Sequence, residues 1–245
     1  MPGPRTADVW RFAPSSKIGP SGYTCEDPVW GGFGLYTSRQ DAEDVIKSPA
    51  RPLPFLENAV EAWHGLVIPY AHRGAVKWRE DVQTDSAIRP AAADPKGPLI
   101  VITSAGYDTA ETATPSRVMA FVKAVQNMVD HYRTLPGNIR ADVFSAGQVD
   151  GREGCTVSLW ADDKAMMAAA YKGGEHKAQL DYHKATPHFD HSSFTRGRIV
   201  ASTGTWDGAD PVKEMAVAWD LFLYHTPQKK APHMAGPFLC FSGKA

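Results

Sequence analysis

Four histidines fall within sixteen positions in the second half of the chain: His176, His183, His188 and His191. Neutral imidazole is a common metal ligand, so this cluster could bind a metal ion. His176 and His183 stand seven residues apart, a spacing that shares one face of a helix. Charged residues between them favour a second interpretation, a solvated helix with surface histidines. The pattern alone leaves both interpretations open.

A zinc site is the less favoured form of metal chemistry. His188 and His191 could ligate zinc, but no HExxH motif occurs and the third ligand is not specified. Cys25, Cys155 and Cys240 lie far apart without CxxC spacing, which argues against a thiolate zinc site or a disulfide framework. We therefore expect a reducing, cytoplasmic environment.

Two arginines add polar chemistry to a predicted strand at residues 193–202. Alternation places Phe194, Arg196 and Arg198 on one face of that strand. An arginine beside apolar neighbours should pair with a carboxylate or face a cavity. The alternative is an exposed edge strand with solvated arginines.

Composition and charge exclude several classes of function. The chain has 245 residues, 43% of them hydrophobic, and a formal net charge of -1, so nucleic acid and anionic membranes are poor partners. We expect neither an export signal nor a membrane span, because the first residues lack an apolar segment and no apolar run reaches about eighteen residues. GxSxG, P-loop and GxGxxG motifs are also absent. We expect a small-molecule substrate.

The elements that must position these residues follow an α+β pattern. Apolar residues recur at helical spacing after Thr114-Pro115, which predicts a capped helix that Pro136-Gly137 ends. A second helix is predicted from Asp162. The predicted strands are residues 98–103, 139–145, 155–160 and 193–202. The resulting order, βαββαβ, is that of a ferredoxin-like plait.

The remaining chain is divided by composition. Residues 1–96 are predicted to form a degenerate N-terminal α+β plait and a linker, with a hairpin of residues 66–70 and 74–78. Residues 97–208 form the plait that carries the site. Residues 209–245 form a C-terminal helix and a packed tail. Because an open plait buries its sheet against a partner, we expect a homodimer or an intramolecular pair of plaits.

Several motifs of the second half resemble those of the spheroidene monooxygenase family. The strand ends in Ser158-Leu159-Trp160, the helix carries Ala170-Tyr171, and Gly174-Glu175-His176 follows. The later strand contributes Phe194, Arg196 and Arg198, before Gly204-Thr205-Trp206-Asp207-Gly208. The similarity covers residues 31–208 and is specific in the C-terminal half.

The resemblance implies a heme protein of the dimeric α/β-barrel type with two tandem plaits. It makes His176 the axial ligand of heme b, with His183 and His188 as alternatives. It also implies that Trp160, Tyr171 and Arg196 contact the cofactor, and that Arg196, Arg198 and His188 are the catalytic residues.

The chain departs from the family pattern at Glu175, His188 and His191, where the family has proline, tryptophan and glutamate, so the pocket chemistry differs. The main expectation is a heme-dependent monooxygenase that acts on a small organic or apolar metabolite. Alternatives are a heme-dependent dehydratase of the aldoxime-dehydratase type, a cofactor-free monooxygenase of the antibiotic-biosynthesis type, and a small-molecule binder on the same fold.

Overall fold

The computed structural model describes most of the two plaits. The described residues are 9–14, 17–19, 22–24, 30–36, 38–47, 59–74, 88, 90–144, 153–171, 188–220 and 238–243. Their strands are β1 (Val9–Pro14), β2 (Lys17–Gly19), β3 (Gly22–Thr24), β4 (Trp30–Tyr36), β5 (Trp63–Gly74), β6 (Leu99–Gly106), β7 (Asn138–Phe144), β8 (Glu153–Trp160), β9 (His191–Gly204) and β10 (Phe238–Gly243). Their helices are α1 (Arg39–Lys47), α2 (Pro115–Thr134), α3 (Asp163–Tyr171) and α4 (Pro211–Asp220).

The C-terminal plait confirms the predicted βαββαβ order. Its strands lie in the order β9-β6-β8-β7, and every neighbouring pair is antiparallel. The crossover helices begin at the predicted caps: the Arg117 backbone N–H donates to the Thr114 hydroxyl at 3.4 Å, and the Ala165 N–H donates to the Asp162 carboxylate at 2.7 Å. Pro115 at the first helical position needs no hydrogen-bond partner for its nitrogen.

The N-terminal plait takes a strand from the far end of the sequence. Its strands lie in the order β1-β4-β10-β5, so β10 of the predicted packed tail pairs with both β4 and β5. The prediction of a hairpin at residues 66–78 is wrong in its first half, because β5 continues as one strand to Gly74. Pro69 cannot donate to the ladder, and the register with β9 shifts there. Residues 75–78 lie outside the described residues.

Pairing of β5 with β9 joins the two plaits into one sheet of eight strands among the described residues. One face of this sheet buries a single apolar core. Phe33 of β4 and Phe144 of β7 belong to it although their strands stand near opposite ends of the sheet order. The sheet therefore curls around this core, which confirms the predicted α/β-barrel with two tandem plaits. Met215 of α4 is fully buried in the same core.

Helices cover the other face of the sheet. Val129 and Tyr132 of α2 and Met166 of α3 pack with Leu99 and Val101 of β6. Ala42, Val45 and Ile46 of α1 pack against the N-terminal strands in a separate cluster. The layer under α2 and α3 is the one that contains the candidate site. Among the described helices, none has the length and hydropathy of a membrane span.

Candidate functional site

A cavity of about 340 Å³ lies between the outer face of the C-terminal plait and its two helices. This volume is at the lower end of the range for small-molecule sites. Its walls are largely apolar: Phe121, Val125 and Met128 of α2 recur at helical spacing above the sheet, and Met166 and Ala170 of α3 close one side. The arrangement suits a small organic molecule.

The floor of the cavity is one row of side chains that crosses five strands. Val143, Thr156, Thr103, Phe194 and Arg73 are successive cross-strand partners on β7, β8, β6, β9 and β5, and all five line the cavity. Residues opposite each other share a face of the sheet. The floor thus changes from an aliphatic end through two hydroxyls and an aromatic ring to a guanidinium group.

Two pairs of aromatic residues line the cavity. The rings of Tyr132 and Trp160 meet edge to face with centroids 5.2 Å apart, and those of Phe121 and Phe189 do so at 5.3 Å. The Trp160 indole N–H donates to the Ser158 hydroxyl at 2.9 Å, which fixes the ring against the floor. These contacts leave rigid walls around the empty volume.

His188 is the imidazole that lines the cavity among the described residues. Its side chain is buried, and burial lowers its pKa below the usual 6.5, with a further lowering by the nearby charge of Arg117. His188 is therefore neutral at pH 7 and can accept a proton from a bound molecule.

The segment that carries His188 is fixed at two points. The guanidinium of Arg117 donates to the Asp190 carboxylate at 2.9 Å, and the Asp108 backbone N–H donates to the same group at 3.0 Å. The next residue, His191, lies between Asp108 and Glu153 with nitrogen–oxygen distances of 2.9 and 2.7 Å. These contacts hold His188 in the cavity wall, whereas His191 itself does not line the cavity.

The two predicted catalytic arginines lie on the face that alternation predicts but outside the cavity lining. Arg198 is only 4% exposed and donates to Asp94 at 2.8 and 2.9 Å and to Asp163 at 2.6 Å. Its guanidinium also stacks 4.6 Å from the Tyr70 ring centroid, and Arg196 stacks at 5.4 Å on the same ring. Arg198 thus meets the expected need for a carboxylate partner.

The structure therefore separates the predicted site residues into three groups. Trp160, Tyr171 and His188 line one cavity. Arg196 and Arg198 form a neighbouring network around Tyr70. His176 and His183 lie outside the described residues, and the roles predicted for all of these side chains stay predictions.

Sequence reasoning did not select the hydroxyls Thr103 and Thr156 or the rim residue Arg73. Alternation along β6 and β8 would place both threonines on the helix-facing side. The position of both threonines in the same cross-strand row as Arg73 depends on the pairing of β5 with β9. The local sequence gives no signal for that pairing.

The described side chains can be compared with those that the implied heme would need. Arg196, which the resemblance places in contact with the cofactor, stacks on Tyr70 and does not line the cavity. Within the described ranges, no group of three histidine, cysteine, aspartate or glutamate residues could hold a metal ion. His176, the predicted axial ligand, lies outside the described residues, so heme b stays a prediction.

Comparison with known proteins gives only distant matches. No family model and no curated protein matches the chain. A proposed monooxygenase from Fusobacterium nucleatum is 9% identical over 84% of this chain and 82% of its own, with a TM-score of 0.40. A proposed monooxygenase from Lactobacillus acidophilus is 9% identical over 82% of this chain and 100% of its own, also with a TM-score of 0.40.

A third solved structure matches only part of the chain. It is a proposed antibiotic biosynthesis monooxygenase from Nitrosomonas europaea, 17% identical over 47% of this chain and 97% of its own, with a TM-score of 0.31. At these identities and scores the similarity assigns neither an activity nor a substrate. The resemblance to spheroidene monooxygenase accordingly stays a prediction.

Proposed function

We propose that this protein is a cofactor-free oxygenase that acts on a small, flat aromatic compound bound between the sheet and the helices α2 and α3. The observation that carries the proposal is the apolar, helix-covered cavity with the neutral histidine His188 in its wall. The reaction class is the cofactor-free alternative to the heme-dependent monooxygenase expected from the sequence.

Three features of the cavity support such a reaction. A neutral imidazole in a desolvated wall can remove a proton from an acidic methylene or hydroxyl group of the substrate. The threonine hydroxyls of the floor, Thr103 and Thr156, can donate hydrogen bonds to the oxygen on which the resulting negative charge collects. Apolar walls keep water from the anion.

Molecular oxygen is the co-substrate, and the aromatic substrate supplies all the electrons. For a methylene substrate, His188 takes one proton, and the anion reduces oxygen and forms a carbon–oxygen bond. Loss of the second hydrogen and cleavage of the oxygen–oxygen bond give the ketone and one water molecule, whose formation returns the proton from His188. One methylene and one oxygen molecule thus become one carbonyl and one water.

Oxidation of anthrone to anthraquinone tests this proposal, because anthrone is a flat tricycle with an acidic methylene. We expect oxygen uptake and quinone absorbance in equal amounts, with activity undiminished by a metal chelator. Replacing His188 by glutamine should lower kcat/KM by about 100-fold or more. His131→Gln, on α2 but outside the cavity lining, is the matched control and should retain activity.

The same preparation distinguishes the other candidates. Turnover by a protein without a Soret absorbance band supports the cofactor-free reaction. Activity that requires bound hemin would instead support the heme-dependent monooxygenase, and turnover of an aldoxime without oxygen would support the dehydratase. Tight binding of anthrone without oxygen uptake would indicate a small-molecule binder.

A further inference from the structure

Arg73 stands at the rim of the cavity, near the end of β5. Its side chain is exposed, and its guanidinium carbon lies 5.5 Å from the ring centroid of Phe194, its cross-strand partner on β9. Because Phe194 is part of the cavity floor, this stacking holds the positive charge where the floor meets the solvent.

Arg73 differs from most arginines of the described ranges in its lack of an ion pair. A carboxylate oxygen lies within 4.0 Å of the guanidinium in each of five others: Arg39, Arg117, Arg133, Arg140 and Arg198. Arg73 has no such partner among the described residues, and its guanidinium instead stacks on the Phe194 ring. An arginine without a carboxylate at the rim of an apolar cavity is a suitable partner for an anionic oxygen group.

The register gives the distance between this charge and the polar part of the floor. Two strand spacings separate Arg73 from Thr103, which corresponds to roughly 10 Å across the sheet. Phe194 fills the interval with an aromatic ring, and Thr156 extends the hydroxyl end by one strand. A flat molecule that lies along this row would meet a hydroxyl pair near one end and the guanidinium near the other.

We propose that Arg73 is a specificity-determining residue that binds an acidic substituent, most simply a carboxylate, at the outer end of an aromatic substrate. This inference rests on the proposed function, because it takes the cavity as the substrate site. It adds that the substrate is an aromatic acid rather than a neutral aromatic compound.

The test compares two ligands with the same ring system. Binding of anthracene-2-carboxylate and of its neutral analogue 2-(hydroxymethyl)anthracene is measured by fluorescence titration at low and high salt. We expect the carboxylate to bind about five- to tenfold more tightly at low salt, with a smaller ratio at high salt. In Arg73→Gln the ratio of the affinities for the carboxylate and the alcohol should fall to about one, while binding of the alcohol is unchanged. Arg73→Lys should retain part of the preference for the carboxylate.

Two variants control for the location of the charge and of the ligand. Arg39→Gln removes an equal charge from α1, on the N-terminal plait, and should leave the ratio unchanged. Ala170→Trp fills the cavity from α3 and should abolish binding of both ligands. Carboxylate binding that survives Ala170→Trp, or a ratio that Arg73→Gln does not change, would overturn the inference.

The anion site and the oxygenase reaction can fail independently of each other, and the experiments distinguish the two failures. A charge preference that depends on Arg73, in a protein that oxidises neither anthrone nor an anthrone carboxylic acid, supports the anion site and rejects the oxygenase. Oxygenase activity in a protein that binds the acid and the alcohol equally well rejects the anion site and leaves the reaction in place.

Discussion

The guanidinium of Arg198 lies 2.6 Å from the Asp163 carboxylate, a contact that joins the middle of β9 to the first turn of α3. Asp94 binds the same guanidinium, and this pairing lowers the pKa of Asp94 to about 2. Tyr70 donates to Asp163 at 2.7 Å and lies under the arginine. The buried charge therefore has two carboxylate partners and an aromatic face.

Removing both carboxylates should lower the unfolding free energy by more than the sum of the two single substitutions. Asp94→Asn or Asp163→Asn alone leaves Arg198 one carboxylate and should cost about 1–2 kcal/mol of unfolding free energy. The double variant leaves a buried charge with no anionic partner and should cost about 3–5 kcal/mol. Urea unfolding of all four proteins measures the coupling.

The exposed pair Arg133–Asp130 provides the control for this cycle. Asp130→Asn should change the unfolding free energy by about 1 kcal/mol or less, since both side chains are solvated. Strictly additive costs for Asp94→Asn and Asp163→Asn would contradict a shared partner in Arg198.

His64 gives the protein a pH-dependent stability. It is 3% exposed in β5, and burial lowers its pKa from 6.5 to about 4. Above pH 6.5 the imidazole is neutral in both the folded and the unfolded chain, so it does not make stability depend on pH. As the pH falls from 6.5 to 4, the unfolded chain takes up a proton that the folded chain does not, so stability should fall by about 3 kcal/mol.

The measurement is urea unfolding of the native sequence and of His64→Gln at several pH values between 7 and 4. The difference in unfolding free energy between the two proteins should shrink or reverse as the pH falls, because the variant lacks the imidazole that titrates. His131→Gln, on the last turn of α2, serves as the histidine control and should retain the native pH dependence. Parallel stability curves for the native sequence and His64→Gln would rule out this role.

Local sequence signals predicted the elements around the site because those signals are themselves local. Thr114 caps α2 and Pro115 begins it, and the apolar period selects the face that covers the cavity. Alternation in β9 placed Arg196 and Arg198 on one face of the strand, and a carboxylate partner was one of the alternatives that the apolar neighbours of Arg198 left open.

The parts that sequence reasoning missed depend on contacts between distant segments. β10 enters the sheet between β4 and β5, and nothing in the residues around Cys240 specifies that neighbour. The row from Arg73 to Thr156 likewise requires three strand pairings to be known together. The predicted strand included Pro69 but ended at Tyr70, and its continuation to Gly74 depends on the pairing with β9, whose register shifts after Pro69.

The pH dependence of catalysis should follow His188. Because the neutral imidazole is the base, kcat/KM should fall as the pH drops through the pKa of His188, with a midpoint below 6.5. Arg117 contributes to this lowering through its charge, so Arg117→Met should move the acid limb of the profile upward. Rates of anthrone oxidation between pH 4 and 8 measure both profiles.

Asp190→Asn separates charge from positioning in this experiment. It weakens the same contact with Arg117 but keeps the positive charge near His188. The acid limb should therefore not rise in Asp190→Asn. An equal upward shift in Arg117→Met and Asp190→Asn would indicate that the contact, and not the charge, controls the base.

Closure of the barrel is tested where β4 meets β7. A Cβ atom at Gly31 would lie 2.6 Å from Cε1 of Phe144, so Gly31→Ala should cost about 1–3 kcal/mol of unfolding free energy by overpacking. Phe144→Leu removes the ring, and in that background Gly31→Ala should cost less than it does alone. Urea unfolding of the two single variants and the double variant measures this coupling. If the costs are additive, β4 and β7 do not meet at these residues; a clear coupling places them side by side although they stand near opposite ends of the sheet.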